Sequence, residues 1–217
     1  VERIQEDIRA AGREAIFFNA NAADSETRAM VCAEIRKKIG DDKIKVLLHS
    51  LAFGTLKPFL GKTREDSVSQ KQLEMTLDVM GTSLVYWVQD LFFDGLLGAG
   101  SRVFAMTSTG SWQMFPDYGP VGAAKSVLEF YIRALATELS PHGATANAIC
   151  AGVTDTPALR KIPAAERMLE VARRKNPGRR GTEPKDIANA IVALARPETQ
   201  WMTGNVIFVD GGEAQKG

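Results

Sequence analysis

Residues 108–125 read STGSWQMFPDYGPVGAAK, and the fold follows from what stands on either side. An apolar run, Arg102-Val103-Phe104-Ala105-Met106, precedes the stretch and has the make-up of a buried strand. The stretch ends inside a long amphipathic helix. Tyr118 stands seven residues before Lys125 and ten after Ser108. At a strand-to-helix junction such a Tyr–Lys pair can work as a proton relay. An ammonium close by lowers a phenol pKa from about 10 towards neutrality. The tyrosine can then donate a proton to an oxygen on which charge develops. The Ser108 hydroxyl, at the strand end, can help hold that oxygen.

Outward from this stretch the pattern alternates. Strands are expected at 13–20 (REAIFFNA), where Ile16, Phe17 and Phe18 form a continuous apolar run, and at 43–49, 102–106, 144–150 and 205–209. Helices are expected at 1–11, at 26–39 with Asp24 or Ser25 as cap and Gly40 as stop, and at 68–97 with a break near Gly81. Further helices are expected at 118–139 and 183–195, the last with Pro184 in its first turn and Glu183 or Thr182 as cap, and one or two short ones at 157–176. Alternation of this kind predicts an α/β fold, a doubly wound parallel sheet of Rossmann-like type with helices on both faces. Ligands of such sheets sit at the C-terminal strand ends. Asn21, Ser50, Ser108, Thr154 and Thr156 all fall there. Each alone reads most simply as a cap or turn residue; their place along one sheet edge gives them meaning together.

The chain has 217 residues, 45% hydrophobic and 24% charged, enough for one domain spanning 1–217 with a sizeable core. A net charge of +1 gives no reason to expect nucleic acid, and no basic run suggests a membrane surface. Arg173, Arg174, Lys175, Arg179 and Arg180 form the densest basic cluster, read as a solvated helix end or, more sharply, as a contact for a phosphate-bearing partner. Cys32 and Cys150 stand far apart without metal-ligand spacing and read as buried thiols. With no secretory signal and no apolar run of membrane length, a cytoplasmic protein is the default.

These elements in this order resemble the short-chain dehydrogenase/reductase family. The spacing of six residues between Tyr118 and Lys125, where three are usual, is similar to that of the divergent branch, the bacterial enoyl-acyl-carrier-protein (ACP) reductases. The resemblance runs from Arg13 to the C-terminus and includes His49-Ser50-Leu51-Ala52-Phe53-Gly54 and Val209-Asp210-Gly211-Gly212. Ser108 stands where most members of the branch carry a second tyrosine, which resembles the NADPH-dependent enoyl-ACP reductase III type, as does the segment from Thr156 to Pro177.

The resemblance implies reduction of trans-2-enoyl thioesters, with Tyr118, Lys125 and Ser108 as catalytic residues. It implies NADPH as cofactor, with NADH as the alternative, held along Asn21, Ala22, Ser50, Leu51, Ala52, Met106, Lys125, Val153, Thr154 and Thr156. Asp78 matches a helix position near the lysine. Gly54, Trp112, Phe115, Leu159, Ile162 and Met168 are implied for the acyl substrate, with 157–176 as a lid; Leu159, Ile162, Met168 and Leu169 fit an acyl channel or a small amphipathic helix on the core equally well. Arg160, Lys161, Arg173 and Arg174 are offered as a contact for an acidic carrier protein, and a homotetramer is implied through the two long helices. The family's glycine-rich phosphate-binding turn and second strand have no counterpart in the sequence, which predicts about 35–45 further N-terminal residues in the native protein. Two other functions stay open: a ketoreductase acting on 3-oxoacyl thioesters or small carbonyls, and a non-catalytic binding protein on the same fold.

Overall fold

Mostly apolar runs become the strands at the centre of the molecule, for which the computed structural model describes residues 2–162 and 164–215. They are β1 (Val46–His49), β2 (Arg102–Thr107), β3 (Thr145–Ala151) and β4 (Val206–Val209), all parallel and in the spatial order β1-β2-β3-β4. β2 and β3 are buried along nearly their whole length, as central parallel strands require. Leu47 is level with Val103, His49 with Ala105, and Thr107 with Cys150. Alternation then sends these six side chains to one face of the sheet. That face packs on α2 (Ser25–Ile39), α4 (Ser83–Phe93) and α5 (Gly119–Leu139) through Cys32, Leu84, Val88, Leu128 and Ile132. α7 (Pro184–Leu194) packs on β4; Glu183 and Asp186 close its first turn as a capping box.

α2 is fixed at both ends and from within. Asp24 accepts the Thr27 amide at 2.9 Å, and Gly40, at φ 57°, ends the helix. Arg28 is nearly buried; its Nε donates to Asp90 of α4 at 2.6 Å, its Nη1 to the Ala23 carbonyl at 2.7 Å, and its guanidinium lies over the Tyr86 ring. Trp87 donates its indole N–H to the Ala22 carbonyl at 2.8 Å. The 21–24 turn is thereby fastened to α4.

The long helix expected at 68–97 is realised in two α-helical pieces, α3 (Gln70–Leu77) and α4, joined by a widened π turn at Asp78–Thr82. Gly81 lies in that turn. A Cβ there would stand 3.1 Å from the Ala124 carbonyl of α5, so the two helices meet closely at a residue without a side chain. The break is a change of pitch rather than a stop.

One expected strand is absent. Residues 13–20 form no strand: their backbone joins no ladder, and Ile16, Phe17 and Phe18 remain substantially exposed. An apolar run becomes a strand only when a neighbour takes its amides and carbonyls, and among the described residues none does. β1 begins at Val46 rather than 43, because the Ile44 amide binds the Leu96 carbonyl at 2.9 Å. α1 (Glu2–Ala10) and α6 (Ala165–Lys175) lie close to where the sequence places them; Pro163, within the expected lid, lies outside the described residues. No helix among the described residues is long and apolar enough to cross a membrane.

Gly81→Ala is expected to destabilise the protein by about 1–3 kcal/mol, because the added methyl has to push α5 away or bend the turn. Urea unfolding followed by circular dichroism measures this as a lowered midpoint at unchanged slope.

Candidate active site

β2 delivers Ser108 just past its C-terminal end, and α5 delivers Tyr118 at its N-cap and Lys125 two turns on. The chain between them folds back on itself through a 3-10 turn, Thr109–Ser111, and through Asp117 at φ 60°, a left-handed conformation that aspartate tolerates better than most residues. The return brings the Tyr118 and Ser108 hydroxyl oxygens to 3.3 Å. Gly110 makes room for it: a Cβ there would lie 2.3 Å from the Tyr118 ring. A Cβ on Gly122 would meet the Gly110 carbonyl at 2.6 Å, so the turn is held between the ring and the first turn of α5. Phe115 packs edge-on to Tyr118 with ring centres 6.0 Å apart.

Lys125 is only 6% exposed, and its Nζ donates to the Met106 carbonyl of β2 at 2.8 Å. Burial lowers its pKa to about 8, with Glu129 pulling the other way. Glu129 in turn accepts the Thr107 hydroxyl at 2.6 Å. This geometry corrects one expectation. The ammonium does not draw the phenol towards neutrality: burial holds Tyr118 above its ordinary range, and the Ser108 hydroxyl is what opposes it. The tyrosine is therefore a protonated donor at neutral pH, and the lysine is aimed at the strand.

Asp78 does not join this group; its carboxylate accepts the Tyr86 hydroxyl at 3.2 Å. On β1, His49 is kept neutral by burial and then by the Lys125 charge, with a pKa lowered to about 4. Sequence reading quoted His49 without giving it a part; the available signal was an imidazole closing an otherwise aliphatic strand end, Val-Leu-Leu-His. Glu129 was also passed over, one helical turn beyond Lys125. Both cysteines are buried thiols, pushed up by burial to about 11 at Cys32 and about 12 at Cys150.

Several of the other residues expected along the sheet edge are engaged, and Asn21 and Ala22, expected at a strand end, follow a segment that forms no strand. Ser50, Leu51 and Ala52 follow the tip of β1, with Ser50 and Ala52 exposed. Asn21 accepts the Ala23 amide at 3.1 Å. Val153 donates its amide to Glu213 at 3.2 Å; the Thr154 hydroxyl donates to the Gly152 carbonyl, and Thr154 bridges to Thr182. Thr156 caps the short turn after it by accepting the Leu159 amide at 3.1 Å. A nicotinamide dinucleotide fits the donor set at the centre of this edge: the Lys125 ammonium has three N–H groups and gives one to Met106, leaving two for hydroxyl acceptors such as those of a ribose. Among the described residues no group of three or more His, Cys, Asp or Glu could hold a metal.

Of the residues expected to meet an acyl substrate, Trp112 stacks edge-on to Phe208 at 5.5 Å, and Leu159, Ile162 and Met168 are half-buried. Gly54 is in close packing, a Cβ there meeting Met80 and Thr76 within 2.8 Å. Leu169 resolves to the core side of its two readings, since α6 buries Ala165, Leu169 and Ala172. Arg160 is not a free cation for a carrier protein: it pairs with Asp155 at 2.6 Å and with Glu166. A cleft of about 580 Å³ opens farther along the edge, between Asn176, Arg180, Thr182 and the Asp210–Gly212 turn, and Tyr118 does not line it.

Lys125→Met is expected to stabilise the fold at pH 7 by about 1–3 kcal/mol, since it removes the cost of burying an ammonium. The folded pKa lies below the ordinary lysine value, so the native protein gains stability relative to the variant as pH rises from 8 to 10, where the unfolded chain still binds the proton and the folded one does not. Denaturation midpoints of both proteins across that window measure the convergence.

Comparison with known proteins gives a consistent picture. The family described as Enoyl-(Acyl carrier protein) reductase matches residues 1–213. The enoyl-[acyl-carrier-protein] reductase [NADH] FabI of Aquifex aeolicus is 27% identical over 169 residues, which are 78% of this chain and 62% of that relative's length. The crystal structure of an Aquifex aeolicus VF5 enoyl-[acyl-carrier-protein] reductase (NADH) superposes with a TM-score of 0.86 at 23% identity, over 100% of this chain and 82% of that one. The Bacillus cereus enoyl-acyl carrier protein reductase, with NADP+ and indole naphthyridinone, gives 0.85 at 23% identity, over 100% and 84%. The two structural likenesses bear on fold.

Proposed function

Because the chain belongs to the enoyl-(acyl carrier protein) reductase family, we propose that it reduces the carbon–carbon double bond of a trans-2-enoyl thioester in fatty acid synthesis. The observation that carries this reading is the pair of hydroxyls at the sheet edge, Tyr118 and Ser108, 3.3 Å apart, with the phenol held protonated by burial. A nicotinamide cofactor, when bound, supplies a hydride to the β-carbon. Negative charge then moves to the thioester oxygen, and the Tyr118 hydroxyl meets it as a hydrogen-bond or proton donor. Ser108 accepts from or donates to the phenol and keeps it directed at that oxygen. Lys125 has the task of holding ribose hydroxyls with its two remaining N–H groups, and its positive charge beneath the edge favours the anionic state. Trp112, Phe115, Leu159, Ile162 and Met168 form the apolar surroundings of the acyl chain in this reading.

NADPH is the proposed donor, on the serine at position 108; the Bacillus cereus relative's structure contains NADP+ and the Aquifex aeolicus relative is named for NADH. The proposed partner is an acyl carrier protein that presents the thioester. The same reading makes the chain a cytoplasmic homotetramer, with the solvent-facing Phe93 of α4 and Phe130 of α5 available for subunit contact.

Oxidation of NADPH and NADH, measured side by side with crotonyl- and 3-oxobutyryl-thioesters, tests this. The expected result is turnover of the crotonyl substrate with preference for NADPH, reduced by a factor of about 10²–10⁴ in Tyr118→Phe. Turnover of the oxoacyl substrate alone would replace the reading with a ketoreductase in which the same phenol protonates an alkoxide. Absence of both turnover and nucleotide binding would point to a binding protein.

A further inference from the structure

The chain leaves the tip of β3 at Gly152, runs through a short turn and α6, and comes back beside β4 at Asn176. Among the described residues, the side-chain hydrogen bonds and ion pairs of 155–173 have both partners inside that stretch: Thr156 with Leu159, and Arg160 with Asp155 and Glu166. The stretch is seated through its buried Ala165, Leu169 and Ala172. Its polar groups therefore bind it to itself, and its direction is decided where it leaves the sheet and where it returns.

Both ends are tied to one turn, Asp210–Ala214. The Asp210 carboxylate accepts the Gly212 amide at 2.9 Å and the Ala214 amide at 2.8 Å, which curls the chain back after β4. The Asp210 carbonyl accepts Nδ2 of Asn176 at 2.8 Å; Asn176 is buried, and its Oδ1 accepts the Gly178 amide. That bond holds the returning end. The departing end is held by Glu213, whose Oε2 accepts the Val153 amide at 3.2 Å across sixty positions of sequence. Thr154 then bridges to Thr182, which joins the two ends to each other. The fit is close. A Cβ on Gly152 would lie 2.3 Å from the Thr182 hydroxyl and 2.9 Å from the Glu213 carboxylate, and one on Gly211 would lie 2.7 Å from the Asn176 side-chain nitrogen. A half-buried carboxylate gains from such an N–H donor, and a loop amide gains from a charged acceptor.

We propose that Glu213 is a positioning residue: carried on the Asp210 turn, its carboxylate fixes the Val153 amide and with it the direction in which the 154–175 stretch leaves the sheet. The role in the reaction rests on the reductase reading above, in which Val153, Thr154 and Thr156 meet the cofactor and 157–176 covers the substrate; the contact itself does not. Without the carboxylate, the departing end is left to the Thr154–Thr182 bridge, and the stretch leaves the sheet over a range of directions. Ser108, Tyr118 and Lys125 belong to β2 and α5 and their junction, so the loss falls on binding of cofactor and substrate rather than on the chemical step.

Hydrogen exchange at single-amide resolution on the full-length protein reads the contact directly. The Val153 amide is expected to be protected in the native protein. It is expected to exchange about tenfold faster in Glu213→Ala and to keep its protection in Glu213→Gln, whose side-chain oxygen still accepts. Amides of β2 and α5 are expected to be unchanged in both variants, which separates loss of this contact from loss of the fold. The native protection is a test even if Glu213→Ala does not fold. An unprotected Val153 amide in the native protein, or equal exchange at Val153 in the two variants, overturns the proposal whether or not the chain reduces enoyl thioesters. Protection that follows the carboxylate, with no turnover of any thioester, leaves the contact standing and removes the reductase reading. If turnover is found, Glu213→Ala is expected to raise KM for NADPH and for the crotonyl thioester by about 3–10-fold with kcat within about twofold, and Glu213→Gln to restore both. A loss confined to kcat would overturn the positioning role.

Discussion

The Lys125 ammonium, buried against the backbone carbonyl of Met106, is the interaction on which the rest of the site depends. A charge in that position needs acceptors that stay put. The carbonyl comes from a central strand whose neighbours on both sides are hydrogen-bonded to it, so the acceptor cannot drift. The lysine comes from α5, the helix that also starts with Tyr118. Strand and helix are joined by this bond and by that of the Thr107 hydroxyl to Glu129, and the two set the position of the tyrosine relative to the strand tip. The charge is unfavourable for folding taken alone, and the apolar contacts of α5 with β2 and β3 must offset it. Sites of this sort hold their functional groups in states the isolated sequence would not choose.

Around that bond the site is shaped more by missing side chains than by added ones. Gly110 lies under the Tyr118 ring, Gly122 faces the Gly110 carbonyl, and Gly81 lets α5 meet the π turn. Each gap brings backbone against backbone or ring, which leaves the phenol little freedom to rotate. Phe115 completes the enclosure from the solvent side. The tyrosine's direction is thus a packing property, and its protonation a burial property; neither needs a nearby charge.

Much of this was legible. The spacing of Ser108, Tyr118 and Lys125 identified the junction, and the alternation of apolar runs with amphipathic segments placed all four strands within a few residues. What was not legible is of two kinds. A strand is a relation between segments, so the run at 13–20, apolar enough to be one, could not be judged from its own residues. The direction of a long side chain is likewise set by what surrounds it. Nothing in the sequence says that Lys125 turns to a carbonyl rather than to the phenol, that Asp78 is taken up by Tyr86, or that Arg160 is neutralised by Asp155 and Glu166. His49 was invisible for the same reason, its meaning residing in a serine thirty-four positions away.

The π turn at Asp78–Thr82 carries a consequence for the helix that contains it. An i→i+5 turn holds one residue more than an α-helix needs, so α3 and α4 are out of rotational phase by roughly the 100° that one residue contributes. The buried residues of the two half-helices are set to different neighbours. Thr76 and Met80 can face α5 and the β1 loop, while Leu84, Val88 and Leu91 face the sheet. The extra residue acts as a phase shifter between two packing problems, and it is also what turns Ser83 to meet the end of β1. Loss of one residue there would leave both half-helices intact in composition and hydrophobicity, yet swing every side chain of α4 off its target.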